Sequence, residues 1–203
     1  NFGRNAPQNF GIAANFWKDH HKTFLVYLAL GNAAYRARRY EEALRCYKEA
    51  LRRRPRKRPH FLWTVLLNRA LTYRALAAAS GLPAAVRRRY LRQASRCYEQ
   101  VAFDRKAPDR LRYWAHLAAA QCLFEVNDFS AARRHAQHAL RLADTHKGLS
   151  QAVPLLAMAV CADKAEKTAA AIKLYRRVLE AGGIKNADAV RRRIAQLQGR
   201  KKR

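Results

Sequence analysis

The chain has 203 residues, half of them hydrophobic, with 42 Lys and Arg against 14 Asp and Glu and a formal net charge of +28. That is too apolar for wholesale disorder and long enough for one extended domain with a continuous core. The longest uncharged run, residues 148–162, has 15 residues and contains Pro154, short of the roughly 20 apolar residues that a membrane span needs.

Residues 1–22 hold Asn, Gly and Pro with little periodic apolarity and read as an irregular N-terminal arm. Its Phe2, Phe10, Phe16 and Trp17 are expected to anchor it to the first helix or to another surface. From residue 23 the pattern is helical. Phe24, Tyr27, Leu28, Leu30, Ala34 and Tyr35 fall on one stripe; Tyr40, Ala43, Leu44, Tyr47, Ala50 and Leu51 fall on the next. Pro55 and Pro59 are expected to end this first helix pair. A long helix follows over about 60–79, then a Ser80-Gly81-Leu82-Pro83 break, with Pro83 placed to open the next helix. That helix runs to about 103 and presents Val86, Tyr90, Ala94, Tyr98 and Val101 to the core. A third pair covers about 109–144 and turns at Asn127-Asp128; a fourth covers about 149–181 and stops at Gly182-Gly183. A capping helix over 186–198 carries Val190, Ile194 and Leu197 on one side, with Arg191, Arg192 and Arg193 projecting away, and residues 199–203 form a basic tail.

Small residues recur at the equivalent point of each second helix: Ala43, Ala94, Ala132 and Ala171, at intervals of 51, 38 and 39. Tyr27, Leu30, Gly31, Ala43, Tyr47, Ala50 and Pro55 together resemble one tetratricopeptide repeat, with one departure: the mid-helix aromatic position is Ala34, and Tyr35 stands beside it. Ala120, Phe129, Ala132, Ala136 and Ala139 match the pattern more loosely, as do Ala159, Ala171, Tyr175 and Val178. Tyr90, Ala94, Tyr98 and Val101 match it on a second helix only. The resemblance covers about 23–185, and the intervals exceed the family's period of about 34 because of the long third helix and longer connectors. It implies an all-α, tetratricopeptide-like solenoid of about four helix pairs plus the capping helix, in which each pair contacts mainly its neighbours. It also implies a groove for peptides. In relatives that hold a C-terminal carboxylate, a Lys/Asn/Arg clamp lines that groove. Here Asn32 matches one clamp position, whereas Leu28, Trp114 and Ala118 occupy basic ones, so the clamp is largely missing.

The cations are clustered. Arg52, Arg53, Arg54, Arg56, Lys57 and Arg58 crowd the first connector; Arg87, Arg88, Arg89, Arg92 and Arg96 share one helix with no acid among them. Arg88, Arg92 and Arg96, at i, i+4 and i+8, form a ridge opposite the apolar stripe, a like-charge arrangement that an anion would relieve. Arg105, Lys106, Arg110 and Arg112 follow. Arg191 and Arg192, then Arg200, Lys201, Lys202 and Arg203, close the chain. A single cluster of this kind is ordinarily a solvated helix face, and coding bias toward Ala and Arg contributes. Four clusters with almost no interleaved acid depart from the mixed surface of an unpartnered helical protein. The 52–58 run and the tail also fit nuclear-import patches. Arg outnumbers Lys 30 to 12, which suits phosphate forks and stacking on bases. The residues named from Arg52 to Arg58, from Arg87 to Arg96, Arg191, Arg192 and the tail cations are the candidate RNA contacts. They would grip backbone phosphates rather than read bases.

Catalytic patterns are missing: no phosphate-cradling Gly loop, no His-Glu-x-x-His and no Gly-x-Ser-x-Gly occurs. His135 and His138, with His146 nearby, would need a further ligand to hold a metal and read instead as solvated or RNA-facing; His20-His21 is no better. Cys46, Cys97, Cys122 and Cys161 are widely spaced and read as small buried thiols in a reducing compartment. No metal, cofactor, catalytic residue or small-molecule substrate is expected. The expectation is a non-catalytic, RNA-associated component of a large ribonucleoprotein, an organellar (mitochondrial) ribosomal protein foremost, contacting rRNA through basic patches and neighbouring proteins through the helical surface. The alternative is an adaptor or assembly factor for acidic protein partners. A start at Asn1 rather than Met fits a removed presequence and the mitochondrial matrix, with another organelle, the cytoplasm or the nucleus as alternatives.

Overall fold

The computed structural model describes the backbone of residues 20–54 and 58–200 and the side chains of 23–54 and 58–199. The arm's aromatics, Pro55, Arg56 and Lys57, and Lys201, Lys202 and Arg203 lie outside the described residues, as do the side chains of His20, His21 and Arg200. The described residues form helices and no strand: α1 His20–Arg36, α2 Tyr40–Arg53, α3 Pro59–Ala77, α4 Ala84–Ala102, α5 Asp109–Glu125, α6 Phe129–Thr145, α7 Ala152–Lys164, α8 Thr168–Ala181 and α9 Ala187–Arg200. None is long and apolar enough to cross a membrane. The chain forms two compact units, Asn1–Cys97 and Tyr98–Arg203, whose boundary falls inside α4.

In the first unit α1 packs on α2 and α2 on α3. The core is Phe24, Ala34, Ala43, Tyr47, Ala50 and Val65. Small residues let α1 and α2 approach closely, and Gly31 is the closest point: a Cβ there would stand 2.6 Å from Cδ1 of Tyr47. A hydrogen-bond chain ties the three helices. Tyr47 Oη donates to Asn32 Oδ1 and Asn68 Nδ2 donates to the same oxygen, each at 2.8 Å. The Phe24 and Phe61 rings meet at 4.7 Å, joining α1 to α3. Pro59 does not close the first pair, as expected, but opens α3 at its first turn. There the missing N–H costs nothing, and the fixed φ suits a helix start.

In the second unit α5 pairs with α6, α7 stacks on both, α8 pairs with α7, and α9 packs on α8. Leu155, Met158, Ala159, Ala171, Leu174, Tyr175 and Val178 form the α7/α8 core, which Val190 and Leu197 of α9 extend. Of the three cations expected to point away on α9, Arg193 does not. Its Nε and Nη2 donate to Asp163 Oδ2 and Oδ1 at 2.7 and 2.8 Å, a two-pronged pair that fastens α9 to the end of α7.

The repeat register shows in the turns. Arg38, Asn127 and Glu166 all have left-handed φ, between 57° and 65°. In each case this residue's N–H and the next close the preceding helix: Arg38 N–H to Tyr35 O and Arg39 N–H to Ala34 O, Asn127 N–H to Phe124 O and Asp128 N–H to Leu123 O, Glu166 N–H to Asp163 O and Lys167 N–H to Ala162 O. Five residues after each turn stands a fully buried alanine, Ala43, Ala132 or Ala171. The expected all-α arrangement of helix pairs with a capping helix is therefore present, three of its pairs built on one turn geometry. Ala94 is buried too but has no such turn before it, since α4 already runs through that position.

Candidate nucleic-acid interface

The candidate basic residues do not all behave alike. Arg52 and Arg53 on the last turn of α2 share Glu49, Arg52 at 3.3 Å. Arg53 also lies over the Tyr27 ring, 4.7 Å from its centroid. The Arg53 guanidinium, seconded by Arg52, holds the Glu49 carboxyl below its ordinary range. These two are partly neutralised within the protein. Arg54 donates to Leu51 O at 2.8 Å, satisfying an orphan carbonyl at the helix end, and is exposed. Arg58 is exposed, its guanidinium 5.9 Å from the Phe61 ring.

On α4, Arg87, Arg88, Arg89, Arg92 and Arg96 are all exposed, while Leu91, Ala94 and Ser95 are buried. Arg89 lies 5.6 Å from the Tyr90 ring. Arg88, Arg92 and Arg96 take part in no ion pair with a described residue. An α-helix places positions four apart on one face, so these three guanidinium groups line one solvent-facing row about 6 Å apart per step. Nothing within the described residues offsets them, whereas a strand of phosphates would. In the second unit Arg191 pairs with Asp188 at 2.7 Å with both groups largely in water, and Arg192 is exposed.

Other side chains fall where helix periodicity does not show them. His135 is buried rather than solvated, and His138 is partly covered. The organising group is His116 on α5, 1% exposed, which periodicity alone could not pair with α6. Its Nδ1 lies 3.0 Å from Nδ1 of His135, so one ring donates and the other accepts. His138 stacks on His116 at 5.0 Å, and Phe103 sits edge-on over the group. Burial, with His135, His138 and Arg112 adding, pushes His116 down to about 3; burial also lowers His138. Among the described residues no three His, Cys, Asp or Glu groups are placed to hold a metal. His146 instead pairs with Asp109 at 3.2 Å.

Cys97, Cys122 and Cys161 are buried, Cys46 is half-buried, and none of the four is in a disulfide. Burial pushes Cys161 up to about 11 and raises Cys46 and Cys97, so these three stay protonated at neutral pH and are poor nucleophiles. The clamp position Asn32 has its Oδ1 committed to Tyr47 and Asn68. Trp114 is 53% exposed and opens an apolar groove of about 470 Å³ between α5 and α7, with Leu117, Phe124, Val153, Leu156 and Val160 along it.

The first helix pair is closed by the left-handed turn at Arg38, sets Gly31 against the Tyr47 ring and buries Ala43 five residues past the turn. Residues 24–57 match the tetratricopeptide repeat. The match spans α1 and α2 and runs to the connector after them. No curated protein matches the chain. Over that stretch the chain is similar to the tetratricopeptide repeat, and its described residues form an all-α, tetratricopeptide-like arrangement of helix pairs.

Proposed function

We propose that this tetratricopeptide-like protein is a non-catalytic scaffold that binds structured RNA through its basic helix faces within a large ribonucleoprotein. The observation that carries this is the Arg88–Arg92–Arg96 row, exposed and without a carboxylate partner among the described residues. Holding like charges at i, i+4 spacing works against the helix, by a few tenths of a kcal/mol per pair in isolation. Phosphates turn that repulsion into attraction and release condensed counterions. Arg87, Arg89, Arg54 and Arg58 are exposed and extend the cationic surface of the first unit. Arg56, Lys57, Arg200, Lys201, Lys202 and Arg203 belong to the same proposal. Arg191 and Arg192 supply the second unit. Arg52 and Arg53, tethered to Glu49, contribute less. The mode is phosphate gripping, since nothing here arranges groups for base edges. The class of particle we favour is an organellar ribosome, and the compartment the mitochondrial matrix.

The apolar groove at Trp114 favours a second reading, an adaptor that docks a protein segment. The two differ in one experiment: sedimentation of native extract with and without ribonuclease. Co-migration with a large particle that collapses on treatment supports the RNA reading. A small peak indifferent to the nuclease rejects it and leaves the adaptor.

A further inference from the structure

Phe103, His116, His135 and His138 form a closed group of rings in the Tyr98–Arg203 unit, and neither reading of function uses it. His116 of α5 and His135 of α6 are 1% and 7% exposed. Their Nδ1 atoms lie 3.0 Å apart. His138 stacks on His116 at 5.0 Å, the planes 11° apart. Phe103 follows the last residue of α4 and lies against all three, its centroid 5.0 Å from His116, 5.6 Å from His135 and 5.4 Å from His138. It is half exposed itself, so it stands between the imidazoles and water.

The short contact between the two nitrogens counts protons. It is a hydrogen bond while one Nδ1 carries a hydrogen and the other a lone pair. A first added proton leaves it intact. His135 Nε2 faces Glu99 of α4 at 3.6 Å, so a cationic His135 keeps its Nδ1–H on His116 and its charge beside a carboxylate. A second proton finds no such place. On His116 Nδ1 it sets two N–H groups against each other and two cations side by side, away from water. The other charges in reach do not relieve it. Arg112 of α5 and Arg141 of α6 are cations, and Asp109 of α5 is paired with Arg112 at 2.7 Å.

We propose that this group is an acid-operated latch: the second proton parts His116 from His135 and frees Phe103, with the connector 103–108, from α5 and α6. The connector is held down by Phe103, by the buried Ala107 and by Arg112 Nε donating to Ala102 O at 3.3 Å. The bonds from Ala107 N–H to Asp104 O and from Lys106 N–H to Asp104 Oδ1 stay within it. A segment tied by contacts of this number opens locally, at a lower free energy than the whole unit. The α7/α8 core, which contains no histidine, stays closed. The closed form refuses the proton, since burial pushes His116 down to about 3, while the open form accepts it near 6.5. Well below that pH, opening gains about tenfold for each further unit of acidity.

Amide hydrogen exchange of the full chain, read by mass spectrometry at about pH 7.5 and about pH 5 at one salt concentration, tests the latch, each rate being divided by the intrinsic rate at that pH. Peptides covering 103–107 and the start of α5 are expected to lose protection by about thirtyfold at the lower pH, and those of α7 and α8 to change little. His116→Gln, which cannot take the proton, removes the contrast. Phe103→Ala, at a residue already half in water, gives fast exchange of the connector at both pH values. No RNA enters the experiment, so its outcome is separate from the RNA reading. Equal protection of 103–107 at the two pH values in the native chain overturns the proposal. So does a loss spread evenly from α5 to α9, which is unfolding of the unit, or a contrast that Phe103→Ala leaves as it was.

Discussion

The ring of Tyr47 fills the space that any side chain on Gly31 would occupy, with Cδ1 only 2.6 Å from an ideal Cβ there. The ring cannot swing aside freely, because its hydroxyl is held by Asn32, which Asn68 also holds. Gly31→Ala therefore forces α1 and α2 apart or breaks that bond. A loss of about 1–3 kcal/mol is expected, although alanine is the better helix former. The midpoint of chemical denaturation measures it. Tyr47→Phe, which keeps the ring and loses the hydrogen bond, is expected to cost less, about 1 kcal/mol.

Glu166 occupies a left-handed backbone position at the α7–α8 turn. A residue with a Cβ gives up roughly 1–2 kcal/mol there, partly returned because glycine loses more chain entropy on folding. Glu166→Gly is expected to stabilise the protein by up to about 1 kcal/mol, read as a rise in melting temperature. A fall would mean that the Glu166 side chain carries an interaction of its own.

Asp163 and Arg193 connect α7 to α9 through two parallel hydrogen bonds, and Tyr175 donates to the same carboxylate at 3.3 Å. The carboxylate is mostly covered, so Asp163→Ala leaves Arg193 and Tyr175 without their acceptor. About 1–3 kcal/mol is expected to be lost, discounted for the partial exposure of Arg193. Hydrogen exchange localises the effect: α9 amides lose protection before those of α7 and α8.

The buried His116 is neutral in the folded chain, its proton affinity pushed down to about 3. In the unfolded chain it titrates near 6.5. Between those values the unfolded form binds a proton that the folded form refuses. Stability is thus whole above pH 6.5 and declines as the pH falls below it. His135, His138 and Arg112 reinforce the refusal; Glu99 lies on the far side of His135, 3.6 Å from its Nε2. By about pH 5 the loss from this group reaches at most about 2 kcal/mol. Melting curves across that range check it; His116→Gln flattens the dependence.

The helical pattern and its punctuation were legible because burial in a helix pair writes a periodic stripe, and Ala43, Ala132 and Ala171 mark its register. The left-handed turns five residues before them were not legible, since Arg38 and Glu166 are not residues that announce such a turn; only Asn127 is. Partnerships across helices were also hidden. His116 meets His135 19 positions on, and Asp163 meets Arg193 30 positions on. Periodicity shows which face is buried but not which neighbour it meets. For the same reason helix periodicity does not show that Arg193 turns in to Asp163 or that His135 is buried.

The surplus of cations is the feature that any account of this protein must explain, and salt dependence of RNA binding tests it directly. Fluorescence anisotropy of a labelled, structured RNA with the full chain, repeated across a salt series, yields the slope of log K against log salt. With about eight phosphate contacts the slope is expected near −6 to −7. Replacing Arg88, Arg92 and Arg96 by Gln is expected to reduce its magnitude by about 1 for each arginine that grips a phosphate. A chain that leaves anisotropy unchanged even at low salt, or whose slope is untouched by the triple substitution, contradicts the RNA-binding role of the α4 row.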